Sequence, residues 1–280
     1  MSAEFSPGKL VEIAAGITRL VAPNPSMMTG PGTNTYLCGV KEVAVIDPGP
    51  NIGKHIAAIQ DLSHGKIRWI LCTHTHPDHS PAAAPLAKAT GAELLGIPAP
   101  EGKAQDKTFT PDRVLADNDL LETEEFSIRA IHTPGHASNH LCFRHTEHRF
   151  LFTGDHIMSG STVVIDPPDG DMKHYLEALA RLKELDLAAL APGHGPIIDS
   201  PNEVVDWLIE HRLKREAKVV TMLKSNPSIS LWDLTMHVYD EVDPGLHRLA
   251  SRSLLAHLLK LKDDGRAVCS EERWTLTPVD

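Results

Sequence analysis

The sequence of 280 residues has few cysteines and no long apolar run. Its four cysteines, Cys38, Cys72, Cys142 and Cys269, lie far apart, and no Cys-x-x-Cys pair indicates a structural zinc or a redox motif. Buried free thiols in a reducing cytoplasm are therefore expected. No stretch reaches the roughly 18 consecutive apolar residues of a membrane span, and MSAEFSPGKL at the start lacks the features of a secretory signal. We therefore expect a cytoplasmic protein that does not insert into membranes.

The charge of the chain is acidic. Its formal net charge is −10, which disfavours non-specific adhesion to nucleic acid but leaves room for a local basic groove. From Lys224 to Asp280 there are seven Lys or Arg and nine Asp or Glu. Because a helix that reads duplex DNA usually presents a basic face, this segment is expected to have a structural or substrate-shaping role.

The segment THTHPDHS, residues 73–80, concentrates metal-ligand side chains directly after the apolar run IRWILC. Three histidines and one aspartate lie within six positions: His74, His76, Asp78 and His79. Imidazole and carboxylate groups are costly to bury unless they are paired or coordinate a metal. Such a cluster at the end of a buried strand therefore predicts a metal site.

Four other apolar runs, each typical of a buried strand, also end in a loop with a polar residue. These loops carry Asp47 in VAVIDPG, His136 in FSIRAIHTPGH, Asp155 in RFLFTGD and His194 in LAALAPGHG. Strands that release such residues from one end bring them to one edge of a sheet, where the ligand sites of layered α/β folds tend to lie. The pattern therefore predicts an α/β fold with one convergent site.

Taken together, these motifs resemble those of the metallo-β-lactamase superfamily in its dinuclear form. The matching motifs are H-x-H-x-D-H at 74–79, TPGH with His136, TGD with Asp155 and PGHG with His194. GTNTYL at 32–37 and the segment from HRLKREAKVV to LLAHLLKLKDDGRAV narrow the resemblance to the lactamase-β-like protein 2 group, over nearly the whole chain. The resemblance implies a four-layer αββα sandwich, of class α/β or α+β, with metals at one edge and a C-terminal winged-helix-like module.

The resemblance also implies how the ligands are shared between two ions. It puts His74, His76 and His136 on one zinc ion, Asp78, His79 and His194 on the other, and Asp155 between them. Two zinc ions per chain are therefore expected, although iron or manganese also suits these ligands. A hydroxide that bridges the two ions would be the nucleophile, and Asp78 and Asp155 are the candidate catalytic carboxylates.

Five further residues are candidates for orienting the metal ligands or for contacting substrate. Asp47 is the candidate for orienting an imidazole, and its alternative role is to cap a turn. Thr33, Asn34 and Thr35 could hydrogen-bond a phosphate group or could serve ordinary turn chemistry. His140, in GHASNHLCF, could contact substrate or protonate a leaving group, or could be a structural histidine.

The second half of the chain is predominantly helical by its apolar spacing. Residues 172–185 and the segment Leu246–Leu261 place leucines at helical intervals, and a long helical connector lies between them. RAVCSEERWTL predicts two short strands. The predicted domains are a catalytic domain at 1–200, a helical connector at 201–224 and a winged-helix-like module at 225–280.

Three functions remain open at this level, and the first of them is favoured over two alternatives. The first is hydrolysis of phosphodiesters, with single-stranded RNA as the substrate that the narrower resemblance implies, as in an endoribonuclease. The second is hydrolysis of thioesters, as in the hydroxyacylglutathione hydrolases, which share all seven ligands. The third is a metal-stabilised protein that binds nucleic acid, and the complete ligand set weighs against it. The expected partner is therefore a small-molecule or RNA substrate and not a membrane, while the oligomeric state stays open, with a dimer as one alternative.

Overall fold

A computed structural model of the chain describes residues 5–102 and 104–277. The ends of two predicted domain ranges, residues 1–4 and 278–280, lie outside the described residues. The chain forms two compact units, of which the first contains two large sheets and the second is formed mainly by residues 162–184 and 202–280. Among the described helices, none is both long enough and apolar enough to cross a membrane.

The larger sheet of the first unit has seven strands in sequential order. They are β1 (Leu10–Ala14), β2 (Ile17–Val21), β3 (Asn34–Cys38), β4 (Val43–Ile46), β5 (Ile67–Leu71), β6 (Glu93–Gly96) and β7 (Arg113–Val114). Strands β1 to β4 pair antiparallel, and β4 to β7 pair parallel. Two helices connect the parallel strands, α1 (Gly53–Ser63) after β4 and α2 (Ala83–Thr90) after β5.

The second sheet has five strands in the order β12-β11-β10-β9-β8. They are β8 (Leu120–Glu122), β9 (Ser127–His132), β10 (Leu141–His145), β11 (Phe150–Gly154) and β12 (Ala189–Pro192). Neighbours from β8 to β11 are antiparallel, whereas β12 is parallel to β11. Because β9, β11 and β12 therefore run in the same direction, the loops that follow them leave from the same edge of the sheet.

The two sheets pack face to face, since alternate residues of each strand point to opposite sides. In β3, Tyr36 and Cys38 join a core shared with Phe143 and Phe152 of the second sheet, whereas Leu37 faces the other way. That other face carries α1 and α2. The first unit thus contains the helix, sheet, sheet succession that the αββα prediction requires.

The helix α3 (Met172–Lys183) follows β11 in the chain and agrees with the predicted segment 172–185. It begins after Asp171, whose side chain accepts a hydrogen bond from the backbone N–H of His174 at 2.9 Å. Its predicted apolar stripe is buried, including Tyr175 and Leu179. The apolar spacing that predicted the helix therefore also marks its buried face.

The C-terminal module consists of helices and a small sheet in the predicted order. The preceding connector is α4 (Pro201–Ser225), and the elements of the module are β13 (Ile229–Ser230), α5 (Leu231–Val238), a 3-10 turn (Pro244–Leu246), α6 (His247–Asp263), β14 (Ala267–Ser270) and β15 (Arg273–Leu276). Leu254, Leu258 and Leu261 of α6 pack in one core with Leu234 of α5 and Trp274 of β15. The leucine stripe predicted from the sequence therefore finds its partners within the module.

Candidate metal centre

Residues 73–80 form the loop at the carboxyl end of β5, and short hydrogen bonds hold this loop at both ends. The backbone N–H of Leu141 donates to the carbonyl of Thr73 at 2.7 Å, and that of Gly49 donates to the carbonyl of His79 at 2.8 Å. Within the loop, His74 Nε2 and His76 Nδ1 are 2.9 Å apart. The clustered histidines are therefore fixed on a loop with little freedom.

The remaining predicted ligands follow three strands of the second sheet. His136 comes after β9, Asp155 directly after β11 and His194 after β12. The three strands run in the same direction. An isolated β-bridge between Thr33, which directly precedes β3, and His194 connects the loop after β12 to the larger sheet. The topology therefore collects the ligands at the edge where the sequence predicted them.

Asp78, His79, Asp155 and His194 form a first group, whose ligand atoms all lie within 4.8 Å of one another. His79 Nε2 lies 3.6 Å from Asp78 Oδ2 and 3.3 Å from Asp155 Oδ1, and His194 Nε2 lies 3.2 and 3.3 Å from the same oxygens. Both Nε2 atoms are buried, and in the part of the chain that is described neither makes a hydrogen bond of normal geometry. Buried ring nitrogens that face two carboxylates in this way fit a metal ion.

His74, His76 and His136 form a second group, again with ligand atoms within 4.8 Å of one another. His136 Nδ1 lies 2.8 Å from the carbonyl oxygen of Val164. Because a carbonyl only accepts hydrogen bonds, this Nδ1 carries the proton and Nε2 is the atom available to a metal. All seven predicted ligands thus fall into two groups, and three imidazoles suit zinc or iron.

The members of the first group shift one another's pKa. Burial lowers the pKa of His79, but the nearby carboxylates of Asp155, Asp78 and Asp47 raise it well above its ordinary value. Burial likewise lowers the pKa of His194, but Asp155 and Asp78 outweigh this effect and raise the pKa to about 9. Burial acts to raise the pKa of Asp155, yet the neighbouring His194 and His79 hold it well below its usual range. In the metal-free protein the imidazoles therefore retain protons that a metal ion must displace.

Asp47 supports the metal ligands from behind and is itself buried. Its Oδ2 accepts hydrogen bonds from His79 Nδ1 at 2.8 Å and from the Thr73 hydroxyl at 2.8 Å, and its Oδ1 accepts one from the Thr73 backbone N–H at 2.7 Å. The backbone of Asp47 has φ 48°, in the left-handed region that non-glycine residues rarely adopt. This geometry places a proton on His79 Nδ1 and turns His79 Nε2 toward the first group.

Thr33, Asn34 and Thr35 do not face a substrate, because all three are fully buried. The Thr35 hydroxyl donates to the carbonyl of Asp47 at 2.7 Å, and Thr33 is bound by the side chain of Asn24. The Asn34 amide donates to the carbonyls of Pro192 and Gly195, at 2.9 Å each, and so braces the loop that carries His194. The interpretation of these residues as phosphate-binding is therefore corrected to one in which they shape the metal centre.

His140 is also fully buried, which removes direct contact with solvent-borne substrate and a role as its proton donor. Its Nε2 instead accepts a hydrogen bond from the backbone N–H of Asp155 at 3.2 Å. Its ring lies beside that of His74, with the centroids 5.0 Å apart. Of its sequence alternatives, the structural one agrees with this position.

Gly193, next to His194, is required for a reason that the sequence did not indicate. A Cβ at this position would lie 2.7 Å from Cε1 of His79 and 3.0 Å from Oδ1 of Asp155. With no side chain, Gly193 leaves space for two metal ligands. Only the packing of His79 and Asp155, which are remote in sequence, shows this.

Two family models match the chain. Residues 28–194 match the model described as "Metallo-beta-lactamase superfamily", and residues 230–274 match "Beta-lactamase associated winged helix domain". The second match agrees with the helices and strands of the C-terminal module.

Two relatives and one solved structure illustrate the similarity. A "Beta-lactamase-like protein 2 homolog" of Caenorhabditis elegans is 32% identical over 91% of this chain and 86% of its own length. An "Atrochrysone carboxyl ACP thioesterase" of Aspergillus chevalieri is 30% identical over 90% of this chain and 82% of its own. The crystal structure of a metallo-beta-lactamase family protein from Thermus thermophilus superimposes with a TM-score of 0.80, at 21% identity, over 95% of this chain and 100% of that one. The predicted fold class and the predicted resemblance are therefore confirmed.

Proposed function

The chain belongs to the metallo-β-lactamase superfamily and is one of its hydrolases, and we propose that it uses two metal ions, zinc above all, to hydrolyse acyl thioesters. The observation that carries the metal-dependent chemistry is the convergence of seven imidazole and carboxylate ligands into two groups, each within 4.8 Å. Histidine and carboxylate ligands without a thiolate suit zinc, and iron or manganese as alternatives.

The chemistry divides between the ions and the chain. When bound, two metal ions supply an activated water and polarise the carbonyl group that it attacks. Asp78 is the most exposed member of the first group, with 26% of its side chain exposed against 13% for Asp155. In the proposed reaction Asp78 is the carboxylate nearer to the arriving substrate, and it takes a proton from the attacking water and passes it to the departing sulfur. The carbon–sulfur bond breaks, and the products are a carboxylic acid and a thiol.

The thioester proposal has two supports besides the site. One relative over most of the chain carries the name of an acyl carrier protein thioesterase. The formal net charge of −10 also favours a substrate other than a polyanion, because phosphate-rich chains bind mainly through Lys and Arg. An acyl thioester, by contrast, presents an uncharged carbonyl at the reacting bond.

Hydrolysis of single-stranded RNA is the second candidate. It is favoured by the similarity to the β-lactamase-like protein 2 homologue, which extends over 91% of this chain, together with the C-terminal winged helix. Activated water at a two-metal site attacks phosphorus and carbonyl carbon alike, so the ligand set is compatible with both substrates. The two candidates therefore need to be separated by assay.

The decisive experiment compares both substrates on one zinc-loaded preparation of the full chain. Thiol release from acyl-pantetheine thioesters of increasing acyl length is measured beside cleavage of an end-labelled single-stranded RNA, and elemental analysis identifies the metal. The thioester proposal expects turnover of the thioesters that disappears in Asp155→Ala, with little cleavage of RNA. Cleavage of RNA that is lost in Asp155→Ala, without hydrolysis of the thioesters, would establish the second candidate instead. Binding of RNA with no hydrolysis of either substrate would favour the third alternative, a binding protein.

A further inference from the structure

His140 touches ligands of both metal groups although it belongs to neither. Its Nε2 lies 3.2 Å from the backbone nitrogen of Asp155, a member of the first group. Its ring lies against that of His74 of the second group, with the centroids 5.0 Å apart and the planes inclined by 31°. A buried imidazole in this position can transmit the placement of one ligand to the other.

The hydrogen bonds around His140 fix its protonated nitrogen. The backbone N–H of Asp155 can only donate, so His140 Nε2 must be the acceptor and the proton of the neutral ring sits on Nδ1. Nδ1 lies 2.9 Å from the Thr133 hydroxyl, which therefore accepts, and that hydroxyl in turn donates to Cys142 Sγ at 3.3 Å. Each member of this short chain has one orientation, so the ring is held in a single state.

Gly154 shows how closely the backbone of the Asp155 segment approaches His140. Its φ of +46° lies in the left-handed region, and a Cβ there would stand 2.8 Å from His140 Nε2 and 2.5 Å from the Thr73 hydroxyl. The glycine therefore allows the end of β11 to press against the imidazole. The contact between His140 and the Asp155 backbone is thus built into the strand end.

We infer that His140 is a positioning residue, which fixes the backbone of Asp155 and the ring of His74 and thereby the spacing of the two metal groups. The inference rests on the proposed two-metal function, because the spacing matters only if both groups hold an ion. Residues that orient metal ligands from behind typically change metal affinity or activity by about 10- to 100-fold when they are replaced. His140 is expected to act in that range although it reaches no substrate.

The test replaces His140 by Leu, which removes the acceptor, and by Gln, whose side-chain oxygen reaches the position of Nε2. Stepwise binding of zinc to the full chain is followed by competition with a chelator, beside the thermal midpoint of the metal-free protein. His140→Leu should bind one of its two ions about 10- to 100-fold more weakly, and His140→Gln should stay close to the natural protein. The control is His145→Gln, because His145 is a buried histidine at the far end of β10, the strand that directly follows His140.

A milder variant keeps the test informative if His140→Leu does not fold. Thr133→Val is nearly isosteric and removes only the hydroxyl that orients His140 Nδ1. The affinity for the same ion should therefore fall by about fivefold, which corresponds to the loss of one ordinary hydrogen bond. Unchanged affinity for both ions in folded His140→Leu or Thr133→Val would overturn the inference. So would a loss in His140→Gln as large as that in His140→Leu. Zinc binding is measured without substrate. If the natural protein binds two zinc ions but does not hydrolyse thioesters, the proposed substrate is wrong, and the zinc affinities of the variants still test this inference.

Discussion

Replacing Asp47 by Asn tests how much of the metal affinity comes from a residue that does not bind metal. The carboxylate accepts hydrogen bonds from two groups that can only donate here, the Thr73 backbone N–H at 2.7 Å and the protonated His79 Nδ1 at 2.8 Å. Asparagine has nearly the same size, but one of its two terminal atoms is an NH₂ group, which only donates. Whichever way the amide turns, one of the two fixed donors therefore meets another donor.

The magnitude follows from the loss of one hydrogen bond to a charged group. Such bonds contribute about 1.5–3 kcal/mol, and each 1.4 kcal/mol or so corresponds to a factor of ten in an equilibrium constant. If the amide oxygen turns to Thr73, His79 loses its anchor and the affinity for the ion in the first group should fall by roughly 10- to 100-fold. If it turns to His79, the buried Thr73 N–H is orphaned, and the cost appears as a lower free energy of unfolding of about 1–3 kcal/mol.

The assay measures both quantities on the same protein. Zinc affinity comes from competition with a chelator of known affinity, and the free energy of unfolding comes from urea denaturation of the metal-free form. Asp186→Asn is the matched control, because Asp186 is 72% exposed and pairs with Arg149 at the surface, where an ion pair contributes little. Zinc affinity and stability of Asp47→Asn that both equal those of the control would refute the role assigned to Asp47.

The remaining predictions concern the metal pocket, its protons and the C-terminal module. Gly193→Ala should lower zinc affinity by at least about tenfold, because its Cβ would meet His79 at 2.7 Å and Asp155 at 3.0 Å; retention of two tightly bound ions by elemental analysis would contradict this. The pKa of His194 is raised to about 9 in the folded chain, so protonated His194 stabilises the metal-free protein. This contribution is complete at pH values below the unfolded pKa of roughly 6.5 and is lost as the pH rises through about 9. Urea denaturation of the metal-free protein from pH 6 to 10 should therefore show this decline, and His194→Gln should flatten it. Leu258→Ala, in the core of the module, should cost about 2–5 kcal/mol in calorimetric unfolding yet leave the zinc content at its original value.

The seven candidate ligands were accessible to sequence analysis because they share two local signals. Four of them lie within residues 74–79, and His136, Asp155 and His194 each follow an apolar run that does form a strand. The helices of the C-terminal module were equally accessible, since their leucine spacing alone indicates the buried face. Boundaries differ by a residue or two, as in α6, which begins at His247 because Pro244–Leu246 form a 3-10 turn.

The supporting residues could not be assigned in this way, because their partners are remote in sequence. Asn34 bonds to carbonyls about 160 positions further on, at Pro192 and Gly195, and this contact decides that it faces inward. His140 is likewise defined by its hydrogen bonds with Asp155 and Thr133, which directly follow β11 and β9. A loop-like motif such as GTNT contains no local sign of such burial. The domain boundaries, the cytoplasmic location, the substrate and the oligomeric state stay predictions.

The ligands of the first metal group come from both sheets of the first unit. Asp78 and His79 follow β5 of the seven-stranded sheet, whereas Asp155 and His194 follow β11 and β12 of the five-stranded sheet. An ion held by all four would act as a reversible cross-link across the open edge of the sandwich, comparable to a disulfide that closes a long loop. An ion that bound the folded chain alone would add about 4 kcal/mol to stability at a free concentration about a thousandfold above Kd. Metal supply in the surroundings would then set the stability of the folded protein as well as its activity.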